Sequence, residues 1–180
     1  MKRNNYFKGY FKNHFKVLEQ IETKNFEKLY LELKKVKNRN NKLMIFGNGA
    51  GAAIASHVAT DFTNVCKLKA YSFDNTSLIT CYANDYNYEN WVTKTIKSYQ
   101  KKGDYVILLS ASGESKNLVN AAKFCNKSKI RFYSISGFNK KNKLNKLSRN
   151  HSWINSNRYN EIESIQLLIL LSIVDRFSAK

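Results

Sequence analysis

The chain has 180 residues, 43% of them hydrophobic and 13% aromatic, with three cysteines and no proline. That length and composition fit one domain with a real core and exclude a disordered polymer. Its 31 Lys and Arg against 13 Asp and Glu leave a formal charge of +18, which suits an anionic partner but is spread along the chain rather than gathered in one arm. Cys66, Cys81 and Cys125 are too few and too odd in number for a disulfide framework, which points to a reducing compartment. No run approaches the roughly 18 apolar residues of a membrane span, and Met1 to Phe15 never opens into an apolar signal core. A cytoplasmic protein is expected. No zinc-finger spacing and no RNA-recognition signature occurs, so nucleic acid is not the expected partner.

Tyr6, Phe7, Tyr10, Phe11, Phe15, Leu18 and Ile21 recur at helical spacing, and Phe26, Leu29, Tyr30, Leu33 and Val36 do so again. Residues 1–40 therefore predict two helices for packing or oligomerisation. Leu43 to Phe46 predicts a buried strand, followed by the glycine loop Gly47 to Gly51 and a helix rich in small residues to Thr63. Lys69 to Phe73 predicts a second strand, whose end at Asp74-Asn75-Thr76-Ser77 can cap the next helix. Another helix is expected over Glu89 to Tyr99, a third strand over Asp104 to Leu109 and a helix over Lys116 to Cys125. A fourth strand follows over Ile130 to Ile135, then a basic loop with a short helix, an edge strand at Ser152 to Ile154 and a last helix over Asn160 to Phe177. Apolar strands alternating with helices predict a three-layer α/β sandwich on a parallel sheet over residues 41–180. Ligands of such sheets bind beyond the carboxyl ends of the strands.

Two loops fall at that edge. Gly47-x-Gly49-x-x-Ala52, with Asp74 further on, formally satisfies the dinucleotide fingerprint. The second loop puts Ser110, Ser112 and Ser115 around Gly113 at the mouth of a helix, where hydroxyls and unpaired helix amides can cradle a phosphate. Glu114 must then point outward, since a carboxylate facing the anion would repel it. His57 and Asp61, four residues apart, share one helix face.

Taken together, Gly47-Asn48-Gly49, His57-x-x-x-Asp61, Asp74-Asn75-Thr76-Ser77, Asn84-Asp85-Tyr86-x-Tyr88 and Ser110-x-Ser112-Gly113-x-Ser115 resemble the SIS (sugar isomerase) domain of the phosphoheptose isomerase family. The resemblance covers nearly the whole chain and displaces the dinucleotide reading. It implies a flavodoxin-like fold, a homotetramer with sites between subunits, and interconversion of sedoheptulose 7-phosphate with a heptose phosphate for lipopolysaccharide or capsule precursors. It further implies that Ser110, Ser112 and Ser115 hold phosphate, and that Asn48, Gly49, Thr76 and Asp85 line the sugar. His57, Asp61 and Glu163 would carry catalysis and bind zinc.

The match is incomplete at the metal. Asp61 stands where the family more often has glutamate. Glu163 falls at the last helix's glutamine or glutamate position, but the family's final histidine is Leu171 here, a second is Gln166, and Gly51 replaces a serine. Among the other histidines there is no obvious replacement, and only His151, from a loop, stays open. The departure leaves an alternative from another class: a catalytically lapsed SIS protein that binds a phosphosugar or a protein such as a replication initiator.

Overall fold

The computed structural model describes residues 5–179. In chain order the elements are α1 (Tyr6–Glu19), α2 (Lys24–Asn38), β1 (Lys42–Gly47), α3 (Ala50–Asn64), β2 (Lys69–Ser72), α4 (Thr76–Tyr86), α5 (Trp91–Tyr99), β3 (Tyr105–Ser110), α6 (Lys116–Lys127), β4 (Arg131–Ser136), α7 (Lys143–Leu147), β5 (His151–Trp153) and α8 (Tyr159–Ser178). The five strands form one sheet in the order β2-β1-β3-β4-β5, parallel throughout. This is the flavodoxin-like order, not the 3-2-1-4-5 start of a dinucleotide-binding domain. The α/β fold expected from the alternation of apolar runs is therefore observed.

Strand periodicity divides the core. Leu43, Ile45, Tyr105, Ile107 and Leu109 face a layer made by α2, α3 and α8. Met44, Phe46, Val106 and Leu108 face the opposite layer of α5, α6 and α7. Because successive residues point to opposite faces, a strand covered on both sides must be apolar at nearly every position, as β3 is from Tyr105 to Leu109.

The two N-terminal helices differ in how far they are buried. α2 buries Leu29, Leu33 and Val36, but α1 buries no residue. Only its end, at Val17 and Leu18, meets the core, and Tyr6, Phe7, Phe11 and Phe15 are all more than half exposed. Aromatics at 6, 7, 10, 11 and 15 cover about half the helix circumference, more than one packing face can bury.

Two contacts fix the sheet's ends. At the carboxyl end, a Cβ on Gly47 would lie 2.3 Å from the Gly51 carbonyl carbon, so β1 and α3 cross here only without a side chain. At the amino end, buried Asp104 accepts from the Lys42 amide at 3.0 Å and the Lys101 amide at 2.7 Å, and pairs with the Lys42 ammonium. Burial alone would raise its pKa; the hydrogen bonds from Lys42 and Lys101 outweigh that and hold it below 3.8.

Gly47→Ala is expected to cost about 3 kcal/mol in urea unfolding, because the clash is with backbone that cannot rotate away. A depressed folded pKa adds stability that is present above the unfolded value and is lost as pH falls through the folded one. Asp104→Asn is therefore expected to cost about 2 kcal/mol near pH 7, a difference that closes as pH drops below about 4. Unfolding midpoints of both proteins across that range measure it.

Candidate active site at the ends of strands β1 and β3

β1 leads to β2 on one side and β3 leads to β4 on the other, so the two neighbouring chains diverge above their carboxyl ends and open a crevice. Gly47 is in register with Leu109, which brings Asn48 and Ser110 to its two lips.

The serine loop forms one lip. Ser110 Oγ accepts the Gly113 amide at 3.1 Å and lies 3.0 Å from Ser115 Oγ, while Ser112 Oγ accepts the Glu114 amide at 3.2 Å. The turn needs glycine at 113: its φ is +69°, and a Cβ would sit 2.1 Å from the Asn142 side chain. With its oxygen already accepting, Ser112 keeps its O–H to donate, and one O–H of the Ser110–Ser115 pair remains free. Ser115 caps α6 without a side-chain bond to it, and the first amides of any helix lack internal acceptors. Donors therefore converge at the helix mouth, a seat for an anion. Glu114 turns away from it, accepting the Lys143 amide at 3.0 Å and pairing with the Lys143 ammonium at 2.8 Å. Those two contacts hold its carboxyl below the usual range.

The glycine loop forms the other lip, and two carboxamides tie it to the first. Asn48 Nδ2 donates to Asn117 Oδ1 at 3.0 Å and Asn117 Nδ2 donates back to Asn48 Oδ1 at 2.8 Å. Tyr88 adds its hydroxyl to Asn48 Oδ1 at 3.0 Å. Asn117 is buried; sequence reasoning missed it, although an asparagine on the first turn of an otherwise amphipathic helix, pointing into the core side, was a readable signal. Gly49 caps α3, its carbonyl accepting from Ala52 and Ala53.

Thr76 and Asp85 sit at the two ends of α4, and both are exposed. The Asp85 carboxylate accepts from Cys81 and Asn84 on its own helix. Contacts within one chain do not tie either residue to the serine loop.

His57 Nε2 lies 3.4 Å from Asp61 Oδ2 on the open side of α3, the histidine more exposed than the carboxylate. The two positions stand about 12 Å or more along the helix from Gly49. Glu163 is half-buried on α8 and is not brought to them: among the described residues no three His, Cys, Asp or Glu side chains gather as a metal set. A catalytic zinc takes three protein ligands and an open position, so the donors of one chain do not fit that ion.

Among the described residues no histidine takes the places where the resemblance expects one. Leu171 packs against the core, and Gln166 is buried with Nε2 on the Ile135 carbonyl at 2.9 Å. His151 opens β5 with Nδ1 3.1 Å from the Ser148 carbonyl, so it serves a turn. The buried carboxylate of the last helix is Glu161, which accepts from Ser156 and lies 3.4 Å from His14 of α1.

A model of the SIS domain matches residues 7–137. Phosphoheptose isomerase 2 of Campylobacter jejuni is 35% identical over 150 residues, an alignment covering 74% of this chain and 72% of that protein. The fold superposes on a phosphoheptose isomerase of Francisella tularensis with a TM-score of 0.89, at 17% identity over 100% of both chains. It superposes on one of Neisseria gonorrhoeae with a TM-score of 0.87, at 21% identity over 97% of this chain and 98% of that one. The matching domain model and the shared sequence over most of both chains place this chain in the phosphoheptose isomerase family of SIS-domain proteins.

Proposed function

We propose that the protein is a sugar-phosphate isomerase that interconverts a ketose phosphate, sedoheptulose 7-phosphate or a close relative, with the corresponding aldose phosphate. The observation that carries this reading is the donor-lined seat at Ser110, Ser112 and Ser115, with its one carboxylate, Glu114, turned outward into Lys143. The whole chain, residues 1–180, acts as one domain of this kind.

In this reading the three serines and the first amides of α6 hold the phosphate. Asn48, positioned by Asn117 and Tyr88, presents its amide to sugar hydroxyls, and Gly49, Thr76 and Asp85 are the further sugar contacts of this reading. Isomerisation removes a proton from the carbon beside the carbonyl, returns it to the neighbouring carbon, and requires a partner for the enediolate oxygen. Asp61 or Glu163 moves the proton, reaching the sugar from a neighbouring subunit, since Asp61 stands about 18 Å along α3 from Gly49. His57, 3.4 Å from Asp61, orients that carboxylate or donates to the oxygen.

Zinc belongs to the proposal only through an assembly in which a second subunit completes the donor set. The exposed aromatic face of α1 supports such an assembly, a homotetramer with sites between subunits, because Phe7, Phe11 and Phe15 would otherwise stand in water. Replacing all three by serine is expected to shift the mass measured by light scattering from four chains toward fewer while leaving the monomer's circular dichroism intact.

A second reading has its own observation. Leu171, partly buried against the core, stands where the resemblance expects a histidine, which favours a lapsed enzyme that still binds a phosphosugar. A coupled assay of sedoheptulose 7-phosphate conversion separates the two. If the protein is an isomerase, Ser112→Ala lowers kcat/KM about 10- to 100-fold by loss of a charge-assisted hydrogen bond. Asp61→Asn then lowers kcat about 100-fold or more. Thermal stabilisation by the sugar phosphate with no turnover, with or without zinc, would establish the binder and remove the enzyme.

A further inference from the structure

The opposite end of the sheet carries a cleft that the isomerase reading does not use. It has a volume of about 410 Å³ and opens where β3 and β4 begin, between the end of α6 and the segment joining α7 to β5. That volume lies within the range of small-molecule sites. Lys129, Arg131 and Arg149 line it against a single carboxylate, Glu32, so its walls carry a net charge of two positive.

The three cations are not equivalent. The Arg131 guanidinium is held from three sides: by the Glu32 carboxylate, by the Gly103 carbonyl at 3.3 Å, and by the Tyr105 ring at 5.7 Å. Glu32 is itself shared with Lys35 at 2.7 Å, so it is committed to protein cations and does not repel an incoming anion at full strength. Lys129 and Arg149 are exposed, and among the described residues neither has a carboxylate within ion-pair distance. One cation is preset and two are free to close on a ligand.

Neutral donors complete the wall. Tyr105 is only 2% exposed yet lines the cleft, and among the described residues no hydrogen bond uses its hydroxyl. Burial raises its pKa, with the Glu32 charge adding to the effect, so the phenol stays a donor. The carboxyl end of α6, whose carbonyls would oppose an anion, is already satisfied: the Phe124 and Cys125 carbonyls accept from Ser128 and Ile130. Cys125 also lines the cleft, but burial pushes its thiol up to about 12. No nucleophile is available, which suits binding rather than reaction.

We propose that this cleft is a second anion site, built for a small phosphorylated metabolite carried as a dianion, with Arg131 preset at its floor and Lys129 and Arg149 closing on the phosphate. It lies at the amino ends of the strands, across the sheet from the serine seat, and does not depend on the isomerase reading.

The probe is glycerol 3-phosphate, a phosphomonoester with no aldehyde or ketone, titrated calorimetrically into the full chain. Four proteins are compared: the unaltered chain, Lys129→Ala/Arg149→Ala, Ser110→Ala/Ser112→Ala, and the combination. Two equivalents bound per chain are expected to fall to one in each double variant and to none in the combination. The cleft variant is also expected to keep the kcat of the unaltered chain. If the serine seat fails to bind, one equivalent still disappears with Lys129 and Arg149, so the two proposals fail separately. A stoichiometry and affinity unchanged in Lys129→Ala/Arg149→Ala, with circular dichroism intact, overturns the second site; at least a tenfold weaker affinity for one equivalent supports it.

Discussion

The reciprocal amide pair between Asn48 and Asn117 governs the geometry on which the rest depends. β1 and β3 are bonded neighbours along their length, yet their chains part at Gly47 and Ser110 and run to opposite flanks of the sheet. Nothing in the ladder holds the loops that follow. Two hydrogen bonds at 2.8 and 3.0 Å, made by a half-buried and a buried side chain, set the distance between the glycine loop and the start of α6. A buried carboxamide left without its partner costs roughly 1–3 kcal/mol, so each asparagine holds the other in place. The helix mouth that presents donors to an anion is thereby fixed against the strand that carries the other lip.

Charge at this crest is arranged by what is kept out as much as by what is present. The one acidic side chain in the serine loop is drawn off to α7 by Lys143, and Gly113 brings the turn tightly against Asn142. The result is a small electropositive seat made of dipoles and hydroxyls rather than of lysines. At the other end of the sheet the logic is reversed: Asp104 is buried and ties Lys42 to the start of β3, while Arg131, Lys129 and Arg149 leave an excess of positive charge in a cleft. The +18 of the chain therefore has at least one local concentration, which a count along the sequence disperses.

That no third donor joins His57 and Asp61 among the described residues is a matter of helix geometry. Residues four apart on α3 meet by construction, so that pair was readable from spacing. Bringing Glu163 to them requires a second helix to approach with the correct rotation, and in one chain α8 spends its inward face on Ile162, Ile165, Ile169 and Ile173. Leu171 and Gln166 show the same preference for packing: one joins the apolar core, the other satisfies a strand carbonyl.

Much of the molecule could be read from the linear order of residues. Apolar runs ending at glycine or serine located β1 and β3 to within a residue, because a doubly covered strand has no polar face to disguise it. The anion seat was legible for a related reason: three serines around one glycine at a strand-to-helix junction are a local feature, and local features survive in one dimension. What could not be read was anything that joins distant segments. The Asn48–Asn117 clamp spans 69 residues, Glu161 reaches His14 across most of the chain, and the basic cleft assembles residues from α2, β3, α6, β4 and two loops. Such contacts depend on where the sheet order and helix rotation deliver each side chain, and no periodicity or spacing encodes that delivery.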